Sequence, residues 1–201
     1  MKAIMISIQP QWVEKILNKE KTIEIRKTMP KCELPCKIYI YCTKSKPTLQ
    51  YFYNWQNYKP ISEHSTWAAG RTLNVGEYGN GKVVAEFILN KVEQYGYVYS
   101  PSMFINDYRK IIDDTFTYYK LDYKSACLTR EGLLKYTNDN EILPKPIYAW
   151  HIDNLKIYDK PKELSEFRQT RKVKAYNFGI WSLEVMPLTR PPQSWCFVEE
   201  L

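Results

Sequence analysis

The run Val83-Val84-Ala85-Glu86-Phe87-Ile88-Leu89 is broken by a single charged residue. It has the length of a strand, and a strand with near-continuous apolar side chains must be covered on both faces. That places it near the middle of a small barrel. Ala3-Ile4-Met5-Ile6-Ser7-Ile8 reads as another buried strand, and Lys37-Ile38-Tyr39-Ile40-Tyr41 alternates as β-structure does. Ile147 to Ile157 returns to strand, and Pro191-Pro192-Gln193-Ser194 feeds a closing strand at Trp195-Cys196-Phe197-Val198.

Helical spacing interrupts this pattern in three places. Pro10 stands at a helix start, followed by Trp12, Val13, Ile16 and Leu17, and the helix ends around Asn18-Lys19-Glu20. Phe104, Tyr108, Ile111 and Ile112 give a face to a second helix, and Thr129 caps a third that carries Leu133, Leu134 and Tyr136. Residues 159–175 read as a polar linker. From Lys44 to Gly81 periodicity is lost, in a stretch rich in Tyr, Trp, Asn and Gly, which reads as an irregular insertion. With no GxGxxG and no repeat, the order of elements predicts an α+β fold, a small β-barrel decorated by helices rather than a doubly wound sheet. A length of 201 residues fits a single domain over 1–201 with that insertion at about 44–81.

The chain carries 29 Lys+Arg against 22 Asp+Glu, a formal +7, together with 17 Tyr and 6 Trp. A basic surface with stacking rings favours a polyanionic partner such as nucleic acid, although packing in the core also accounts for aromatic residues. No run of about 18 apolar residues is available to span a bilayer. The segment MKAIMISIQPQW lacks the apolar stretch and small-residue cleavage site of a secretory signal, so a cytoplasmic location is expected. The five cysteines, Cys32, Cys36, Cys42, Cys127 and Cys196, are then expected as free thiols.

The densest chemistry lies in Lys21-Thr22-Ile23-Glu24-Ile25-Arg26-Lys27. Alternation puts Ile23 and Ile25 toward a core and Thr22, Glu24 and Arg26 on the other face. A guanidinium grips phosphate in bidentate fashion or stacks on a base, and lysine adds a mobile charge. Glutamate accepts from base amino groups or acts as a general base. The competing reading is a surface Glu24–Arg26 ion pair among solvated lysines.

The stretch Asn18-Lys19-Glu20-Lys21-Thr22-Ile23-Glu24-Ile25-Arg26 resembles the ASCH-domain signature GxKxxExR, with Lys21, Glu24 and Arg26 on the motif and Lys19 where glycine is usual. Ser7-Ile8, Pro10, Val13 and Ile16-Leu17 before it, and Pro192 to Val198 at the far end, are similar as well. The resemblance implies a PUA-like barrel whose basic cleft takes RNA, a nucleotide or a nucleoside. Lys21, Thr22, Glu24 and Arg26 would form the binding site, with Gln193 and Ser194 lining it. Some relatives hydrolyse the amide of N4-acetylcytidine with a Lys, a Thr three residues later and a distant Glu. Here Lys21 matches, Glu24 replaces the Thr, and Glu131 is one of several counterparts for the distant Glu. The resemblance therefore leaves open an amidohydrolase with Lys21 and Glu24 as catalytic groups, as well as a regulatory protein-interaction module.

Other constellations carry less. Cys32, Cys36 and Cys42 lack a CxxC knuckle for zinc, and His64 and His151 have no recognisable partner, so no metal or cofactor is expected. Tyr51, Tyr53, Trp55, Tyr58 and Trp67 would form either a stacking rim for a ligand or a satellite core.

Overall fold

A computed structural model describes residues 2–46, 50–52, 59–61, 79–103, 105–112, 115–137, 145–174 and 181–201, the side chains of 50–52, 59–61 and 115–118 excepted. In chain order the elements are β1 (Lys2–Ile8), α1 (Pro10–Leu17), β2 (Ile23–Arg26), β3 (Cys36–Cys42), β4 (Gln50–Phe52), β5 (Lys59–Ile61), β6 (Val83–Leu89) and β7 (Val92–Ser100). They continue with β8 (Ile105–Ile112), β9 (Thr115–Lys120), α2 (Arg130–Thr137), β10 (Ile147–His151), β11 (Asp153–Lys162), β12 (Arg168–Lys174), β13 (Trp181–Pro187) and β14 (Trp195–Glu199). The fold is α+β, built on two open five-stranded sheets rather than one closed barrel. None of the helices described is long and apolar enough to cross a membrane.

The chain forms two compact units that interleave in sequence. The first takes Met1–Asn18, Cys36–Ile88 and Asn154–Leu201, and the second Lys19–Pro35 and Leu89–Asp153. In the first unit the strand order is β11-β6-β3-β1-β14, with β1 parallel to β3 and antiparallel to β14. β6 occupies the interior position that its apolar run requires. Both faces of β1 and β3 are buried as well, since Ala3 and Met5 are as inaccessible as Ile4 and Ile6. Tyr39 and Phe167 close this core with rings packed edge to face at 4.9 Å.

The second unit has the order β2-β10-β7-β8-β9. Ile23, Ile25, Ile147 and Ala149 share its core with Tyr95, Tyr108, Leu121 and Leu133. Two expectations change. The helix expected on Phe104, Tyr108, Ile111 and Ile112 is strand β8, apart from Phe104, which lies outside the described residues. Ile105 and Arg109 are buried on one face of β8 and Tyr108 on the other, so burial of both faces imitated helical spacing. The polar linker at 159–175 instead holds the end of β11 and all of β12. Within the insertion, Gln50–Phe52 and Lys59–Ile61 pair antiparallel as β4 and β5.

The two helices that remain follow their signals. Pro10 occupies the first turn of α1, and Val13, Ile16 and Leu17 are buried. The Thr129 hydroxyl accepts a hydrogen bond from the Gly132 amide at 3.0 Å, as an N-cap does. After α1 the chain turns through Lys19 at φ 61°, in the left-handed region. This is the position at which the ASCH signature carries glycine. A side chain there costs roughly 1–2 kcal/mol, part of which glycine returns through the entropy of the unfolded chain. Lys19→Gly is therefore expected to raise stability by about 0.5–1 kcal/mol, and the β-branched Lys19→Val to lower it. Urea denaturation checks both, and a glycine variant no more stable than wild type would refute the strain.

Candidate functional site

β2 is an edge strand whose four residues are all buried. Ile23 and Ile25 face the core, which leaves Glu24 and Arg26 on the opposite face, across the ladder from Trp150 and Tyr148 of β10. Glu24 is 8% and Arg26 7% exposed, so they are not the surface pair of the competing reading. Lys21, just before the strand, is 3% exposed.

A tight turn between β9 and α2 seats this segment. The Asp122 carboxylate accepts from the Ser125 amide (3.0 Å) and hydroxyl (2.6 Å). Hydrogen bonds from Ser125 hold that carboxyl below its ordinary value. The Ser125 carbonyl accepts the amides of Thr22 (2.9 Å) and Ile23 (3.1 Å), and the next carbonyl, of Ala126, accepts Lys21 Nζ at 2.6 Å. Cys127 then turns the chain at φ 53°. The lysine ammonium is thereby fixed 3.4 Å from Glu24 Oε2. Arg26 Nε lies 3.1 Å from Glu24 Oε1, close enough for an ion pair although its N–H is not aligned as a hydrogen bond. One carboxylate thus stands between two buried cations.

Of the six expected binding residues, the structure brings Lys21, Glu24 and Arg26 together. Thr22 is exposed, and its backbone pairs with Ser125 and Ile152. Gln193 and Ser194 belong to the other unit, in the loop before β14. There Gln193 is exposed and the Ser194 carbonyl accepts the Ser7 amide at 3.0 Å. Glu131 is exposed in the first turn of α2. Tyr53, Trp55, Tyr58, Trp67 and His64 lie outside the described residues, and only the backbone of Tyr51 is described. The five cysteines are free thiols, and burial pushes Cys42 up to about 12.

Trp150 was not singled out from the sequence. It is fully buried in β10, in register with Glu24, and its indole N–H has no acceptor among the described residues. His151 does have a partner, since its Nε2 lies 2.8 Å from Glu93 Oε2. Glu93 Oε1 is bridged by Lys110 (2.7 Å) and Lys91 (3.0 Å). Burial alone would push the Glu93 carboxyl up, but hydrogen bonds from Lys110, Lys91 and His151 outweigh it and bring it down to about 2.

The fold is similar to that of solved ASCH structures. The crystal structure of ASCH from Zymomonas mobilis superposes with a TM-score of 0.50 at 16% identity, covering 98% of this chain and 88% of that one. A point mutant of the same protein gives 0.50 at 16% identity, covering 100% and 92%. No protein-family model and no curated protein matches the chain. The chain has the ASCH fold.

Two consequences can be measured. Glu24→Gln leaves two buried cations without their shared carboxylate and is expected to cost about 3–5 kcal/mol of stability. Thr22→Val, at an exposed position, should stay within about 0.5 kcal/mol by the same denaturation assay. A Glu24→Gln loss no larger than that of Thr22→Val would mean that the cations are solvated. For Glu93, the folded carboxyl near 2 lies below its ordinary 4.5, so it contributes stability above about pH 4.5 that is lost as pH falls toward 2. Glu93→Gln should therefore be less stable than wild type at neutral pH, with the difference shrinking over that window. A difference independent of pH would exclude this linkage.

Proposed function

We propose that this chain binds RNA or a nucleotide, in the cytoplasm, through the site built on Lys21, Glu24 and Arg26. The observation that carries the reading is the burial of three formal charges on one short segment. Desolvating ionised groups costs more than their mutual attraction returns in many proteins, so such a cluster is poorly explained by stability alone. Two cations gathered on one carboxylate suit a ligand with a negative charge or carbonyl acceptors. A carboxylate with about four acceptor sites still has capacity for a base amino or imide N–H beside its two cations. The indole N–H of Trp150, on the neighbouring strand and without an acceptor among the described residues, adds a donor that a ligand carbonyl would engage. The likeness to ASCH structures supports this reading at the level of the fold.

Hydrolysis of an acylated nucleobase has less support. Thr22 and Glu131 are both exposed, so of the groups weighed for that chemistry only Lys21 and Glu24 are placed together.

Isothermal titration of the full chain with uridine and cytidine, their monophosphates and a short oligouridylate tests the proposal. Wild type should bind at least one of these. Arg26→Lys keeps the charge but loses the planar fork, so it should weaken that binding at least tenfold while melting within a few degrees of wild type. Lys21→Met should weaken the phosphorylated ligands more than the nucleosides. No binding by wild type, or equal binding by both variants, would overturn the assignment.

A further inference from the structure

The hairpin of β12 and β13 in the first unit carries charge and apolar surface in a pattern that the buried site does not use. The strands pair antiparallel, with Lys174 opposite Trp181, Lys172 opposite Leu183, Thr170 opposite Val185 and Arg168 opposite Pro187. Directly opposed residues in such a pair share a face. One face of the ribbon therefore shows two parallel rows, Arg168, Thr170, Lys172 and Lys174 along β12 and Trp181, Leu183, Val185 and Pro187 along β13. All eight residues are exposed, with Trp181 at 63%, Leu183 at 69% and Val185 at 53%. Large apolar side chains standing in water along an outer strand form a surface that ordinarily finds a partner.

The basic row states what kind of partner. Strands lie about 4.8 Å apart, and alternate residues along one strand are spaced by about 6.7 Å. A line of cations thus runs beside a line of apolar groups that includes one exposed indole. A single nucleic-acid strand has the complementary layout, a row of phosphates beside a row of flat bases whose faces are free to stack. A duplex lacks the second row, because its bases are already stacked on each other. A charged lipid surface is a plane of headgroups and does not require the two lines to be kept separate. The second position of the row is the neutral Thr170, whose hydroxyl donates to Glu199 on β14 at 2.9 Å, so this carboxylate is engaged by a hydroxyl of the row.

We propose that this face of the β12–β13 ribbon is a second binding surface, for single-stranded nucleic acid, with Lys172 and Lys174 on phosphates and Trp181 stacked on a base. It stands independently of the buried site, and the two are separable because the ribbon residues are exposed and their substitution leaves both cores intact.

The test uses the full chain with fluorescent oligouridylate, the matching RNA duplex and vesicles of phosphatidylcholine with phosphatidylserine, over a series of salt concentrations. For Lys172→Glu with Lys174→Glu, affinity for the single strand should fall at least tenfold and the slope of log affinity against log salt should flatten by about 1.4, two phosphate contacts at about 0.7 each. Trp181→Ala should lower the affinity about tenfold without changing the slope. Mononucleotide binding should be unchanged in both variants, which separates failure here from failure at Lys21 and Arg26. Unchanged affinity and slope in the ribbon variants would overturn the proposal. So would equal binding of the duplex, or vesicle binding that the variants abolish while oligouridylate binding persists.

Discussion

The Glu24 carboxylate lies between Lys21 and Arg26, and what surrounds it in its unit is arranged to keep that grouping out of water. An ammonium and a guanidinium cannot be desolvated side by side without a counter-charge, and one carboxylate supplies it to both. The backbone does the rest. Carbonyls of Ser125 and Ala126 hold the segment from Lys21 to Ile23, and the Ile152 amide donates to the Thr22 carbonyl from the far side, so the strand cannot slide without breaking several bonds at once. Asp122 closes the turn that presents those carbonyls, which makes a short exposed loop as important to the position of Lys21 as the strand itself.

Glu93 offers a comparison within the same sheet. It too is one carboxylate among basic side chains, the cations Lys91 and Lys110 and the His151 ring, but the lysines reach solvent and the arrangement resembles a surface network drawn partly inward. Its low carboxyl value follows from donors that converge on both oxygens. The Glu24 group differs in having its cations buried with it. Stability alone explains the first cluster well and the second poorly, and this difference directs attention to Lys21, Glu24 and Arg26.

Much of this was legible in the sequence, for identifiable reasons. Val83–Leu89 could only be an interior strand, and β6 is one. Pro10 and Thr129 marked the starts of the helices because a missing amide proton and a side-chain oxygen act locally. Where burial is two-sided, local pattern misleads. Ile105, Tyr108 and Arg109 are buried on opposite faces of β8, which looks helical in one dimension. β12 failed in the other direction, since this polar, exposed strand has no apolar alternation to read. The alternation in β2 correctly separated Ile23 and Ile25 from Glu24 and Arg26. It could not show that the second face is buried too, because a face becomes buried through what packs on it rather than through its own residues.

Lys19 joins these points. The ASCH signature places glycine there, and the backbone adopts a left-handed conformation that explains a glycine preference on conformational grounds alone. A position can thus depart from a pattern while keeping the geometry that the pattern encodes, at a cost of about 1–2 kcal/mol that the rest of the fold absorbs. The same reasoning applies with opposite sign to Lys21, Glu24 and Arg26. None of the three has a positive φ, and apolar side chains are ordinarily buried at lower cost than charged ones. The Ala126 carbonyl asks for a donor at Lys21, but no backbone conformation asks for charge at Glu24 or Arg26.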